Sequence, residues 1–201
     1  MTAKENKKTA KNVGKNISLS GKCLIAVPGI SDIRFSHSVI FVCANAKDGS
    51  MGLIVNRPIL PLKFEELLKH LDISLPEDIV NNTPDIIYGG PMESSRGFVL
   101  HSSDFSLAST VDIAGGISIT STLDILDMVA KGTGPQSCMI ALGYVSWREG
   151  QLEDELKDNM WLICDGDREL VFGTPYSKKW QKAMERIGIN PNMFSLTQGS
   201  S

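Results

Sequence analysis

The run SCMIALGYVSW, residues 137–147, constrains the fold more than any other stretch. It is apolar almost throughout, as a strand buried on both faces must be. In an extended strand Tyr144 and Ser146 share one face, and Val145 and Trp147 the other. The chain then continues through REGQLEDELKDNMW, so Gly143 to Trp161 holds two of the three tryptophans. A helix over 150–159 fits this segment, with Leu152 and Leu156 stacked at i, i+4 towards the core. Gln151 and Glu155 form a second i, i+4 pair, Glu153 faces out towards Lys157, and acidic residues in the first turn suit the helix dipole. WLICD (161–165) reads as the next strand, making a strand–helix–strand clasp.

The rest of the chain surrounds this unit with short apolar runs ended by Gly and Pro. KCLIAVPG (22–29) is one strand. SVIFVCA (38–44) and SMGLIVN (50–56) flank AKDGS as a hairpin. IIYGGP (86–91) and RGFVLHS (96–102) are strands with MESS as the loop tip between them. TVDIAGGISIT (110–120) is a strand pair broken at Gly115-Gly116, and ELVFGT (169–174) is read as a final strand. Helical spacing appears at 62–72 through Phe64, Leu67, Leu68 and Leu71, and at 121–132 with Ser121 and Asp124 as a capping box and Gly132 as the stop. It appears again at 175–190 through Trp180, Ala183, Met184 and Ile187. Residues 72–85 read as loop, with Pro76 able to start one helical turn. Strands arrive in runs, not in strict alternation with helices. The expectation is α+β: a single domain with a curved, mixed but mainly antiparallel sheet, flanked by helices and able to curl towards a barrel. The domain spans 17–190, with a disordered Lys-rich tail at 1–16 and a C-terminal tail at 191–201.

Charge narrows the function. The net charge is −3, yet residues 1–16 carry five lysines and one glutamate, which leaves −7 on the remainder. An acidic body argues against nucleic acid as a direct partner, since binding there relies on Lys and Arg against phosphates. No stretch approaches the roughly 18–20 apolar residues of a membrane helix, and the N-terminus lacks the apolar core of a secretory signal. Cys23, Cys43, Cys138 and Cys164 each sit in or beside an apolar run without CxxC spacing, as free core thiols in a reducing compartment do.

Four motifs recur in order: LIAVPGISDIRFSHSVIFVC, MGLIVNRPI, GGPMESSRGFVLH and GYVSWREGQLEDELKDNMWL. Together they resemble the AlgH/YqgE family of small bacterial proteins, over roughly residues 22–190. The resemblance implies a compact α+β fold, a cytoplasmic location and no cofactor. Some members carry a transcriptional-regulator label, which fits poorly with direct DNA contact by an acidic chain.

Several residues are too polar or too specific to be read as core alone. Trp147, Arg148 and Gln151 could edge a ligand site, with Glu153 nearby, because tryptophan offers a stacking face with a polar handle. Asn56 and Arg57 close an apolar strand; both suit a turn, and an arginine fork also suits a carboxylate or phosphate. Arg96 and His101 lie in GGPMESSRGFVLH, where the glycines permit either a turn or an anion-binding nest. No phosphate-binding loop, GxSxG elbow, SxxK pair or HExxH is present, and His101-Ser102-Ser103-Asp104 cannot form a triad from neighbours on one strand. Two readings follow: a non-catalytic binding or regulatory protein with a protein or small-molecule partner, or a hydrolase-like enzyme using His101, Arg57 and Glu153 beside the Trp147 loop. A transcription-related regulator is a third. The discriminating observation is whether Asn56, Arg57, Arg96, His101, Trp147 and Gln151 line one cleft.

Overall fold

A computed structural model describes residues 18–74 and 83–191. The expectations for residues 1–16, for a turn at Pro76 and for nearly all of 191–201 lie outside the described residues. Among the described residues nine strands run β1 Lys22–Ala26, β2 Val39–Ala46, β3 Gly49–Ile54, β4 Asp85–Tyr88, β5 Met92–Ser102, β6 Val111–Ala114, β7 Ile117–Thr120, β8 Cys138–Arg148 and β9 Trp161–Asp165. The helices are α1 Phe64–His70, α2 Asp124–Ala130, α3 Gln151–Lys157 and α4 Tyr176–Arg186. The strands form one sheet in the order β6-β7-β5-β8-β3-β2-β1-β9, with β4 joined to β8 off this path. Every ladder is antiparallel except β4–β8. The mixed, mainly antiparallel sheet flanked by helices is therefore present.

The long apolar strand is central, as its composition demands. Residues 139–142 of β8 lie beside β4 on one flank and β5 on the other. Residues 145–148 pair with β3 instead. The exchange of neighbours falls at Gly143, which has a φ of 72°. A Cβ there would overlap the carbonyl oxygen of Gly90, and a Cβ on Gly90 would overlap the Tyr144 carbonyl. Gly89-Gly90 and Gly143 thus let two backbones cross in contact, which is the service only glycine provides. The Gly89 amide donates to the Leu142 carbonyl at 2.8 Å, so the GGP segment is occupied by β8.

The sheet curls strongly. Four ladder steps separate β8 from β9, which would set them roughly 19 Å apart in a flat sheet. Yet the Trp147 and Trp161 ring centroids lie 6.3 Å apart. Both rings pack with Leu24, Ile40, Val42 and Leu152 beneath α3. The opposite face of β1 and β2 carries Cys23, Ile25, Val39 and Phe41, packed with Leu100, Leu170 and Met184 under α4. A third cluster seats α1 and α2 through Phe64, Leu68, Ile125 and Leu126. With both faces of β1 and β2 covered, their apolar residues run consecutively.

Three local expectations are corrected. Met92–Ser95 is not a loop tip but the start of β5, with its register broken between Met92 and Gly97. ELVFGT is not a strand: Glu169–Gly173 forms a π-helical turn. Short apolar runs are ambiguous between the two states, and Asp167 decides this one. Its carboxylate accepts the Leu170 amide at 2.8 Å and its carbonyl the Val171 amide at 2.9 Å, while the Thr174 amide donates to the Glu169 carbonyl five residues back. In α2, no side chain caps the first turn; Leu123 holds the N-cap position and Ser121 stands outside it. Gly132, with a φ of 69°, does end that helix. Among the described residues no helix is long and apolar enough to cross a membrane.

Candidate functional site

Gln151 and Trp147 are committed to the clasp. The indole N–H groups of Trp147 and Trp161 both donate to one Glu155 oxygen, at 2.8 and 2.7 Å. Gln151 donates to the other Glu155 oxygen at 2.9 Å and accepts the Arg148 backbone amide at 3.1 Å. Gly150, left-handed at φ 74°, makes the tight entry to α3. The amide at the helix start therefore braces a carboxylate that ties two buried tryptophans. Arg148 and Glu153 are exposed and make no side-chain hydrogen bond among the described residues. Lys157 bonds Asp154 at 2.7 Å, not Glu153.

Asn56 and Arg57 hold a loop. Asn56 accepts the Val39 amide at 2.9 Å and donates to the His37 carbonyl at 2.8 Å, and Arg57 donates to the Ser36 carbonyl at 2.9 Å. Arg96 is exposed, lies over the rings of Phe98 and Tyr144 at 5.2 and 5.9 Å, and pairs loosely with Glu93 at 3.4 Å.

His101 is fully buried. Its Nδ1 bonds the Ser102 carbonyl at 3.0 Å, so Nδ1 donates and Nε2 accepts the Thr120 hydroxyl at 2.9 Å. Thr120 in turn bonds Thr110 at 2.7 Å, and Thr110 accepts the Leu107 amide at 2.9 Å. Burial holds the imidazole pKa below its ordinary value, partly opposed by the Ser102 carbonyl. This is a satisfied neutral histidine inside a hydroxyl chain.

These residues do not share a cleft. His101 pairs with Cys138 at one end of β8 and Trp147 lies at the other. At ~3.3 Å per residue that is roughly 30 Å of strand. The hydrolase-like grouping of His101, Arg57 and Glu153 is likewise spread over β5, the β3 exit and α3.

A cleft does form where the starts of β4 and β8 meet α4. About 440 Å³ in volume, it is lined by Thr83, Pro84 and Asp85, by Val129, Gly132 and the segment from Gly134 to Met139, and by Phe172 and Tyr176. The Tyr176 hydroxyl donates to Asp85 Oδ2 at 2.9 Å. Burial and that bond raise the phenol well above its ordinary range. One turn further along α4, Lys179 is buried under the Tyr176 ring, its Nζ 4.2 Å from the centroid. It donates to the carbonyls of Val55 at 3.0 Å and Val171 at 2.7 Å, the second presented by the π turn. Burial lowers the Lys179 pKa to about 8, while burial pushes the Cys138 thiol at the cleft up to about 12. The Lys179 nitrogen is held by two backbone carbonyls, and burial disfavours the Cys138 thiolate.

Counting back four residues from Trp180 and Ala183 puts Tyr176 and Lys179 on the buried stripe of α4. Tyr176, a phenol at the start of that stripe, is the α4 residue that lines the cleft. Among the described residues no three His, Cys, Asp or Glu side chains gather as a metal site requires.

Comparison with known proteins gives a consistent result. The model of the AlgH-like family matches residues 23–192. A UPF0301 protein of Afipia carboxidovorans is 48% identical over 189 residues, covering 90% of this chain and 89% of the relative. A UPF0301 protein of Rhodopseudomonas palustris HaA2 is 48% identical over 189 residues, covering 90% and 86%. The solution structure of the AlgH protein from Pseudomonas aeruginosa superposes with a TM-score of 0.75 at 37% identity, over 93% of this chain and 96% of that one. A crystal structure from Corynebacterium diphtheriae, at 16% identity, TM-score 0.67 and coverage of 86% and 88%, shares the fold.

Proposed function

This chain belongs to the AlgH-like family, and we propose that it is a cytoplasmic binding protein that takes a small polar ligand into the cleft between β4, β8 and α4, without chemistry of its own. The carrying observation is that cleft. Its volume of about 440 Å³ falls in the range of small-molecule sites, and its surface is more polar than apolar, which suits a small polar ligand. Asp85, Gln136 and Ser137 supply the polar side; Val129, Met139 and Phe172 supply an apolar wall. Asp85 keeps one carboxylate oxygen beyond its bond to Tyr176, so the fitting ligand presents a hydrogen-bond donor, neutral or cationic, and a flat face to Phe172. The acidic body favours such ligands over anions and over nucleic acid. Free cysteines fit a reducing compartment. Any regulatory role on this reading runs through ligand occupancy.

The test is protein-observed NMR with a panel of small polar amines, amides and alcohols. Shifts at Asp85, Gln136 and Tyr176, with Asp85→Asn weakening the hits at least about tenfold, support the reading. Shifts confined to the Arg148 and Glu153 surface, or none anywhere, overturn it.

A further inference from the structure

Two thiols face each other across the β1–β9 ladder, Cys23 opposite Cys164. Facing residues of an antiparallel pair have Cα atoms about 4.5 or 5.5 Å apart. Both values fall inside the ~4.4–6.8 Å span that a disulfide bridges. Opposed side chains also project to the same face, and both sulfurs belong to the core cluster under α4. Strand β9 ends the sheet, so adjusting it disturbs one ladder only.

The two sulfurs differ in access and in charge. Cys23 is completely buried. Cys164 is also buried, at 6% exposure, but lines a cleft of about 560 Å³ at the end of α4 remote from Tyr176, together with Lys22, Asp167 and Arg186. Arg186 bonds Asp167 at 2.7 Å. Hydrogen bonding between the thiols is the main influence on both, raising Cys23 and lowering Cys164; at Cys164 burial and the Asp165 and Asp167 carboxylates oppose the lowering and the Arg186 charge adds to it. Burial raises the other two thiols, Cys43 and Cys138. Cys164 is therefore the thiol that meets the cleft, which it lines together with Arg186, and a second thiol stands directly opposite to resolve it.

We propose that Cys164 and Cys23 form a redox-modification site, in which a small hydroperoxide entering the β9–α4 cleft oxidises Cys164 and Cys23 closes a cross-strand disulfide. The Cys164 thiolate attacks the terminal peroxide oxygen. An S–O bond forms, the O–O bond breaks, and the departing oxygen takes a proton to leave as water or an alcohol. Sulfur loses two electrons and the peroxide gains them. The Cys23 sulfur then displaces the sulfenic oxygen, which leaves as water with the Cys23 proton. A cellular dithiol restores both thiols by exchange and is itself oxidised to a disulfide. The site uses none of the groups in the Asp85–Tyr176 cleft, so it stands or falls separately from the binding role.

The full chain is treated with equimolar hydrogen peroxide and mapped under non-reducing conditions by mass spectrometry. The expected product is a linked peptide pair containing Cys23 and Cys164, with loss of two hydrogens from the intact mass, reversed by dithiothreitol. Cys164→Ser is expected to slow peroxide consumption at least about tenfold, and Cys23→Ala to leave a dimedone-reactive sulfenic acid at Cys164. Wild-type-like consumption by Cys164→Ser, linkage through Cys43 or Cys138, or no linkage in folded protein at excess peroxide would each overturn the proposal. The wild-type map decides the pairing even if Cys23→Ala fails to fold.

Discussion

Glu155 accepts three side-chain hydrogen bonds, two from tryptophan indoles and one from Gln151. Bonds to a charged acceptor are worth about 1.5–3 kcal/mol each, and a buried donor left unpaired costs about 1–3 kcal/mol. Truncation strands both indole N–H groups of buried rings, so Glu155→Ala should cost about 3 kcal/mol, and Glu155→Gln less, because the amide oxygen still accepts. Urea unfolding followed by tryptophan fluorescence measures this; a loss under about 0.5 kcal/mol for the alanine variant, the scale of an ordinary surface substitution, would show that the carboxylate is a passive neighbour. The i, i+4 pairing of Gln151 with Glu155 is legible in sequence, as is the inward face of Leu152. The link to the tryptophans is not, since it depends on how far the sheet curls between β8 and β9.

At the scale of elements, periodicity located most strands, the β2–β3 and β6–β7 hairpins and the stripe of α4, because each follows from side-chain alternation or helical spacing within one segment. It missed what depends on two segments. GGP reads locally as a turn, yet Gly90 and Gly143 exist to let β8 change neighbours from β4 to β3. ELVFGT reads as a strand until Asp167 caps it into a π turn. The Gly143 crossing yields a sharp expectation. Gly143→Ala combines left-handed backbone with overlap of the Gly90 carbonyl, and no flexible side chain can yield to relieve it. The loss should exceed about 2 kcal/mol. Gly150→Ala has the same sign of φ but open space around its Cβ, and should cost only about 1 kcal/mol. Equal midpoints for the two variants in thermal unfolding would refute the crossing as the cause.

Across the whole molecule, the residues singled out from sequence proved to be spread along the sheet, while the candidate cleft is assembled from four separated segments around residues 83–85, 129–139, 172 and 176. No single segment carries its signature. The same topology ranks the parts by stability. Strand β8 is bonded to β3, β4 and β5, and its side chains enter all three core clusters. At one margin β6 is bonded to β7 alone, through a ladder broken between Asp112 and Ala114, and Val111 is 58% exposed. Local opening needs few buried contacts to be given up, whereas freeing β8 dismantles the sheet on both sides. Native-state hydrogen exchange should therefore show amides of residues 139–145 exchanging only through global unfolding. Amides of β6 should open about 2 kcal/mol more easily, roughly thirtyfold in the opening constant, with little dependence on denaturant. If β6 and β8 instead exchange with one shared free energy and one shared denaturant slope, the sheet unfolds as a single unit and β8 has no privileged place in it.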